Sequence, residues 1–279
     1  MGNNKGLALV TGASAGIGAA YAGRLAARGY DLLLVARRRD RLETLARELE
    51  RKHPVRAEVL PADLTQRAYL KAVEDRMVSA NNLAFLVNNA GIGIRGRFEE
   101  TDLERQEQMH QLHIVAPVRL THAALRGMVA RRNGVIVNVS SSAAFAQSPW
   151  NTTYNASKTW MNAFTEALWL EMKADGVPVK VQALCPGFTV TEFHDVMGVD
   201  RKIVPDSWWM TSEEVVDASL RGLERGKLIV IPGWRYKAYF LGLTLMPSYL
   251  RRRLTVMMAR KVRNKMAGHE ASRDVRQGS

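Results

Sequence analysis

The chain of 279 residues predicts an α/β fold, a doubly wound parallel sheet with helices on both faces. Three observations predict it. Seven short apolar runs alternate with longer stretches of helical pattern, the order that yields parallel strands joined by right-handed crossovers. The runs are continuously apolar rather than alternating, as strands covered on both faces are. A glycine-rich loop, TGASAGIG at 11–18, joins the first run to the first helical stretch.

The elements follow in order. GLALVT (6–11) is the first strand, and a helix over 17–28 leaves the glycine loop. DLLLVA (31–36) precedes a helix over 38–52, and VRAEVLPAD (55–63) precedes one over 65–79. LAFLVNNA (83–90) leads to a long helical stretch, 101–130, and GVIVNVSS (134–141) to a helix over 152–175. VKVQALCPG (179–187), a helix over 212–225 and KLIVIPG (227–233) complete the series. No internal repeat or low-complexity linker divides them. Residues 1–233 therefore read as a single domain, and 234–279 as a basic amphipathic C-terminal extension.

Composition bounds the function. Hydrophobic residues make up 47% of the chain, enough for a sizeable core. Cys185 stands alone, which excludes an internal disulfide and fits a reducing, cytoplasmic compartment. The opening MGNNKGLALV holds too short an apolar run for a signal peptide, and Gly6 stands where myristoylation wants Ser or Thr. No stretch approaches the ~20 apolar residues of a membrane span. The net charge of +13 is concentrated at one end: from Gly233 onward there are 11 Lys/Arg and 2 Asp/Glu. That segment lacks a recognised nucleic-acid-binding fold, so no nucleic-acid partner is read. In it Leu250, Leu254, Met258, Val262 and Met266 recur every four residues, flanked by Arg251, Arg252, Arg253, Arg260, Lys261 and Arg263. Such a helix suits peripheral contact with an anionic membrane, or a homodimer interface.

The glycine loop points to a dinucleotide. Gly12 permits a tight turn, while Gly16 and Gly18 allow close approach; Ser14 and Ile17 complete the loop's binding set. The helix that follows offers free N–H groups and a positive dipole end to a pyrophosphate. At the end of the second strand an NAD site carries an acid, but here Ala36 is followed by Arg37. A guanidinium there suits a 2′-phosphate, so NADP(H) is expected over NAD(H), while Arg39 simply begins a solvated helix. Tyr154 and Lys158 stand four apart in TTYNASKTW, on one face of the 152–175 helix. Most such pairs are solvated neighbours, so the surroundings decide whether this one is chemical.

Five motifs in register do so: TGASAGIG at 11–18, NNAG at 88–91, NVSS at 138–141, YNASK at 154–158 and CPGFTVT at 185–191. With them the chain resembles the short-chain dehydrogenases/reductases, a Rossmann-fold family, from Gly6 to about Gly233. The resemblance implies that Asp63 and Leu64 sit against the adenine, and that Asn88, Asn89, Ala90 and Gly91 brace the central strand and line the cofactor cleft. It implies that Pro186, Gly187 and Thr191 place the nicotinamide. Ser141 would hold the substrate carbonyl, with Ser140 and Ser142 as competitors for that role. Tyr154 would be the general acid, and Lys158 would lower its pKa and bind the nicotinamide ribose. No metal is implied.

One residue departs from the family. His113 stands where an Asn holds a water that links the active-site Lys to solvent. An imidazole can also hold a water; the other reading is a packed helix residue. Between Phe188 and Thr211, a region that the family resemblance implies covers the substrate, Phe193, Val196, Met197, Val199, Trp208, Trp209 and Met210 are strongly apolar. The expected activity is thus hydride transfer between NADP(H) and a ketone or secondary alcohol of a bulky lipophilic molecule, such as a sterol, retinoid, fatty-acyl or polyketide-like ketone. The expected assembly is a dimer or tetramer, with a membrane surface as a further partner. The alternative is a non-catalytic NADP(H)-binding regulator, against which the intact Ser141, Tyr154 and Lys158 argue.

Overall fold

In a computed structural model, residues 5–193 and 204–260 are described. The seven runs form seven parallel strands: β1 (Leu7–Thr11), β2 (Asp31–Ala36), β3 (Ala57–Pro61), β4 (Leu83–Asn88), β5 (Gly134–Val139), β6 (Val179–Leu184) and β7 (Ile229–Val230). They lie in the order β3-β2-β1-β4-β5-β6-β7. The direction of winding reverses between β1 and β4, and a cleft opens there at the carboxyl ends of the strands.

Both faces of the sheet are covered, which is why its strands are continuously apolar. Ala8 and Val10 of β1 pack beneath Tyr21 and Leu25 of α1 (Gly16–Ala26), Leu42 of α2 (Arg39–Lys52) and Val215 and Leu220 of α7 (Ser212–Glu224). Leu7 and Leu9 point the other way. They meet the layer built by Val73 of α3 (Arg67–Ser79), Leu120 of α5 (Ala116–Ala130) and Leu168 of α6 (Thr152–Ala174). At roughly 25 cal/mol per Å² of buried apolar surface, these two layers dominate the stabilisation of the fold. The Tyr21 hydroxyl, fully buried between α1 and α7, donates to Ser219 Oγ at 2.6 Å, and so remains satisfied away from water.

The helical stretch expected over 101–130 is not continuous. It is α4 (Leu103–His110), a wide π turn (Gln111–Val115) and α5. Pro117, in the first turn of α5, supplies the reason. It has no N–H for the His113 carbonyl four residues back, and its ring clashes with that carbonyl in a regular helix. The wider turn carries His113, which is fully buried.

Beyond β7 the chain forms α8 (Trp234–Leu245) and a further helix, 248–260. Tyr236 and Phe240 of α8 are buried against the body. Trp234, Leu241 and Leu245, spaced by seven and four residues, form an exposed apolar stripe on another face of the same helix. Of the stripe expected further on, Leu250 and Met258 are exposed, while Val262 and Met266 lie outside the described residues, as do Lys261 and Arg263.

Candidate active site

The cleft is a cavity of about 350 Å³ that collects residues from every strand end between β2 and β6. Gly12, Ser14, Gly16 and Ile17 form one wall, with Arg37, Asp63 and Leu64 at the β2–β3 end. Asn89, Ala90, Gly91 and His113 line the centre. Ser141, Tyr154, Lys158, Pro186, Gly187 and Thr191 line the other end. Gly18 is the exception among the glycines expected to hold the cofactor. It does not line the cavity but packs behind the loop, where a Cβ would stand 2.3 Å from the Gly12 carbonyl oxygen.

The loop fits a pyrophosphate on its own geometry. Gly16 has φ +55°, and a Cβ there would meet Thr191 at 2.8 Å, so only glycine leaves the space open. Ala15 at the N-cap of α1 provides no side-chain acceptor, and the first turn carries no acid. The N–H groups of that turn therefore face the cavity with a positive dipole and no anion of their own. Asn89 holds the loop from behind, its Nδ2 donating to the Thr11 carbonyl at 2.9 Å, while Thr11 Oγ1 accepts the Asn89 and Ala90 N–H groups. Asn88 does not reach the cavity. It joins β4 to β5 and α5, donating to Asn138 Oδ1 at 2.8 Å and Thr121 Oγ1 at 3.1 Å.

Ala36 leaves the end of β2 without an acid, and both Arg37 and Arg38 line the cavity. Arg39 turns away and pairs with Glu43 one helical turn on. Arg38 was not singled out from the sequence. Its guanidinium donates to Ser14 Oγ at 3.0 Å and to Glu192 at 2.7 Å, and Arg41 holds the same carboxylate. These two arginines keep the Glu192 carboxyl below its usual range.

At the chemical end, the three competing serines separate. Ser140 Oγ is given to the Lys158 carbonyl at 3.1 Å, and Ser142 does not line the cavity. Ser141 Oγ accepts the Ala143 N–H at 3.1 Å, and its hydroxyl neighbours the Tyr154 phenol in the cleft. Lys158 is buried and directed by one bond, its Nζ donating to the Val139 carbonyl at 2.9 Å. Its Nζ stands 5.7 Å from the centre of the Tyr154 ring. Burial draws the ammonium pKa down to about 8. Burial also pushes the Tyr154 phenol up to about 12, with the neighbouring Ser141 pulling the other way. The lowered Tyr pKa expected from the Lys spacing is therefore not what the protein alone provides. Desolvation of the phenolate is the largest influence, and the Ser141 hydrogen bond only partly offsets it.

His113 has both ring nitrogens committed to protein. Nε2 accepts the Ile92 N–H at 3.2 Å, which makes Nδ1 the protonated nitrogen, and it donates to Ser157 Oγ at 2.9 Å. Ser157 Oγ passes its own hydrogen to the Tyr154 carbonyl at 2.9 Å. Of the two readings, the geometry favours the packed residue over the water holder, since neither nitrogen is left for a water. Burial first, and Lys158 next, hold the ring's pKa well below the ordinary value.

The residues at this site, their order and their spacing correspond to one group of enzymes. The family model described as short chain dehydrogenase matches residues 6–201. The chain belongs to the short-chain dehydrogenase family. This short-chain dehydrogenase is 37% identical to a short-chain dehydrogenase from Sphingobium yanoikuyae solved in complex with NADPH, with a TM-score of 0.79 over 90% of this chain and 95% of that one. It is 32% identical to a bulky-bulky ketone specific alcohol dehydrogenase from Comamonas testosteroni, with a TM-score of 0.74 over 88% and 96% of the two chains. Among curated proteins it is 30% identical to a 7beta-hydroxysteroid dehydrogenase of Collinsella aerofaciens, over 82% of this chain and 86% of that one. It is thus an oxidoreductase of the nicotinamide-dependent kind. Among the described residues, no helix is long and apolar enough to cross a membrane.

Proposed function

We propose that this short-chain dehydrogenase reduces bulky lipophilic ketones with NADPH, and oxidises the matching secondary alcohols in the reverse direction. The observation that carries the reading is the meeting of Ser141, Tyr154 and Lys158 in one cleft beside an aromatic wall. The Phe193 ring lies 5.9 Å from that of Tyr154, and Phe188 and Trp209 pack together at 5.3 Å behind it. Val196, Met197 and Val199 of the same segment lie outside the described residues. The names of the relatives, a bulky-ketone alcohol dehydrogenase and a hydroxysteroid dehydrogenase, agree in substrate size and polarity.

A bound reduced nicotinamide supplies the hydride for the carbonyl carbon. The Ser141 hydroxyl, beside the Tyr154 phenol, donates to the carbonyl oxygen and orients it. Tyr154 donates its phenolic proton to the same oxygen as negative charge develops there, so that one hydride and one proton convert the ketone to the alcohol. Because burial keeps the phenol protonated at neutral pH, Tyr154 is loaded for this direction. Lys158, an ammonium below pH about 8, lies close enough to stabilise the phenolate left behind. Preference for NADPH rests on Arg37 and Arg38, two guanidinium groups at the strand end that lacks an acid.

The same reading extends to the region after Gly233. Its +9 charge and the exposed Trp234, Leu241, Leu245, Tyr249, Met257 and Met258 suit an anionic membrane surface, where lipophilic ketones concentrate. The test of the function is NADPH oxidation by the whole chain against a panel of small and bulky ketones. Turnover of bulky ketones supports it, and binding of NADPH without turnover of any ketone would leave the non-catalytic regulator in its place.

A further inference from the structure

Three contacts that no motif signals converge on Tyr236 of α8. Its ring packs on the Gly187 turn: a Cβ built on Gly187 would stand 2.0 Å from it. Its hydroxyl accepts the Phe188 N–H at 2.8 Å and donates to the Trp208 carbonyl at 2.7 Å. Trp208 also meets the ring edge-on at 5.0 Å. Phe188 and Trp208 belong to two described stretches, 187–193 and 204–211, on either side of residues 194–203. These stretches run side by side: Val190 N–H donates to the Met210 carbonyl at 2.9 Å, and Met210 N–H to the Phe188 carbonyl at 3.0 Å. In the first of them, Gly187, Thr189, Thr191 and Phe193 line the cavity that contains Tyr154.

One buried side chain from outside the motif-bearing region thus packs on the Gly187 turn and ties Phe188 to Trp208. A phenol has one hydrogen to donate, and its placement on Trp208 leaves the oxygen lone pair for Phe188, so neither partner is exchangeable. With phenylalanine in its place, the Phe188 N–H and the Trp208 carbonyl would each lose a partner under cover. The backbone must then shift towards water to recover one.

We propose that Tyr236 is a positioning residue for ketone reduction: by fixing the Gly187 turn and the cavity-lining stretch from Gly187 to Phe193 against Trp208, it sets how large a ketone can reach Tyr154. The proposal rests on the reading of Tyr154 as the general acid. Its test compares Tyr236→Phe with Phe240→Leu in the full chain. Phe240 stacks on Tyr236 from the same helix with ring centres 6.5 Å apart, but makes neither backbone bond. The readout is the ratio of kcat/KM for a steroid ketone to that for cyclohexanone, with NADPH affinity and Tm measured alongside. Tyr236→Phe is expected to lower the ratio about tenfold, chiefly through KM for the larger ketone, with NADPH affinity changed less than about twofold. Phe240→Leu is expected to lower Tm and leave the ratio alone. An unchanged ratio in Tyr236→Phe, or an equal shift in Phe240→Leu, overturns the proposal. A second measurement needs no variant: the Phe188 amide of the wild-type protein is expected to be protected from hydrogen exchange. Exchange at the rate of an open amide overturns the proposal even if Tyr236→Phe fails to fold. If the wild type reduces neither ketone, the function proposed above fails, and the Phe188 amide alone decides whether the Tyr236 tie exists.

Discussion

Acidification should destabilise this protein through one side chain. His113 is fully buried, with Nε2 accepting from Ile92 and Nδ1 donating to Ser157. A second proton on the ring would break the Ile92 bond, set two N–H groups against each other and place a charge near Lys158. The folded ring therefore stays neutral well below the ordinary pKa. In the unfolded chain the same ring takes up its proton near pH 6.5. The folded pKa is the lower of the two, so the unfolded state binds more protons below pH 6.5 and stability falls as pH falls. One pH unit below 6.5, the loss from His113 alone reaches at most about 1.4 kcal/mol, the limit for a ring that stays neutral in the folded state, whereas at pH 7.5 it is about 0.1 kcal/mol or less. The assay is urea unfolding at pH 7.5 and pH 5.5, for the wild type and for His113→Asn. Carboxylates contribute equally to both proteins, so the difference between their two pH losses isolates the imidazole. The wild type should lose more than the variant over this interval, by up to about 1.4 kcal/mol. Equal losses would refute the neutral, doubly bonded ring. Because Asn is the residue the family resemblance leads one to expect, the variant should fold, bind NADPH and keep its turnover.

Three further outcomes are expected. Tyr154→Phe should bind NADPH nearly as the wild type does and lose about 10²–10⁴-fold in turnover, measured as NADPH oxidation on a verified ketone; full turnover would remove Tyr154 from the mechanism. Arg37→Ala should weaken NADPH about ten- to hundredfold relative to NADH in equilibrium titrations, because only NADPH has a 2′-phosphate to lose; equal changes for both cofactors would take Arg37 out of the phosphate site. The whole chain should co-sediment with anionic vesicles more than with neutral ones, and less as salt rises. Trp234→Ser with Leu241→Ser should reduce that binding, and a variant that binds as well as the wild type would transfer the exposed stripe of α8 to another role, a second copy of the chain being the first to test.

What could be read from the sequence was local. The inner strands were legible because they are buried on both faces, so DLLLVA and GVIVNVSS announce themselves without knowledge of their neighbours. Residues within a motif were legible for the same reason: Ser141, Tyr154 and Lys158 do meet in one cleft. The break at Gln111–Val115 was missed although its cause, Pro117, stands in plain view, because apolar periodicity runs through the wider turn. The burial of the Tyr154 phenol, which raises its pKa, gave no signal, because spacing shows which charge is near but not how much water is absent. Contacts that join distant parts of the chain gave no signal at all. Arg38 meets Glu192 across 154 positions, and Tyr236 meets Phe188 across 48, in segments whose composition suggests only charge or only apolar character.

Cys185, at the end of β6, is the one thiol in the chain and is fully buried, its Sγ directed to Asn162 Oδ1 at 3.4 Å. Burial pushes its pKa up to about 12, so at neutral pH almost none of it is the reactive thiolate. A thiol reagent added to the native protein can therefore label it only during moments when the turn before Pro186 opens to solvent. The labelling rate becomes a clock for that opening, and it ticks at a single known position beside the nicotinamide end of the cleft. Slowing of the clock by NADPH, or by a ketone, would report how tightly each ligand closes the turn, with no probe added to the chain.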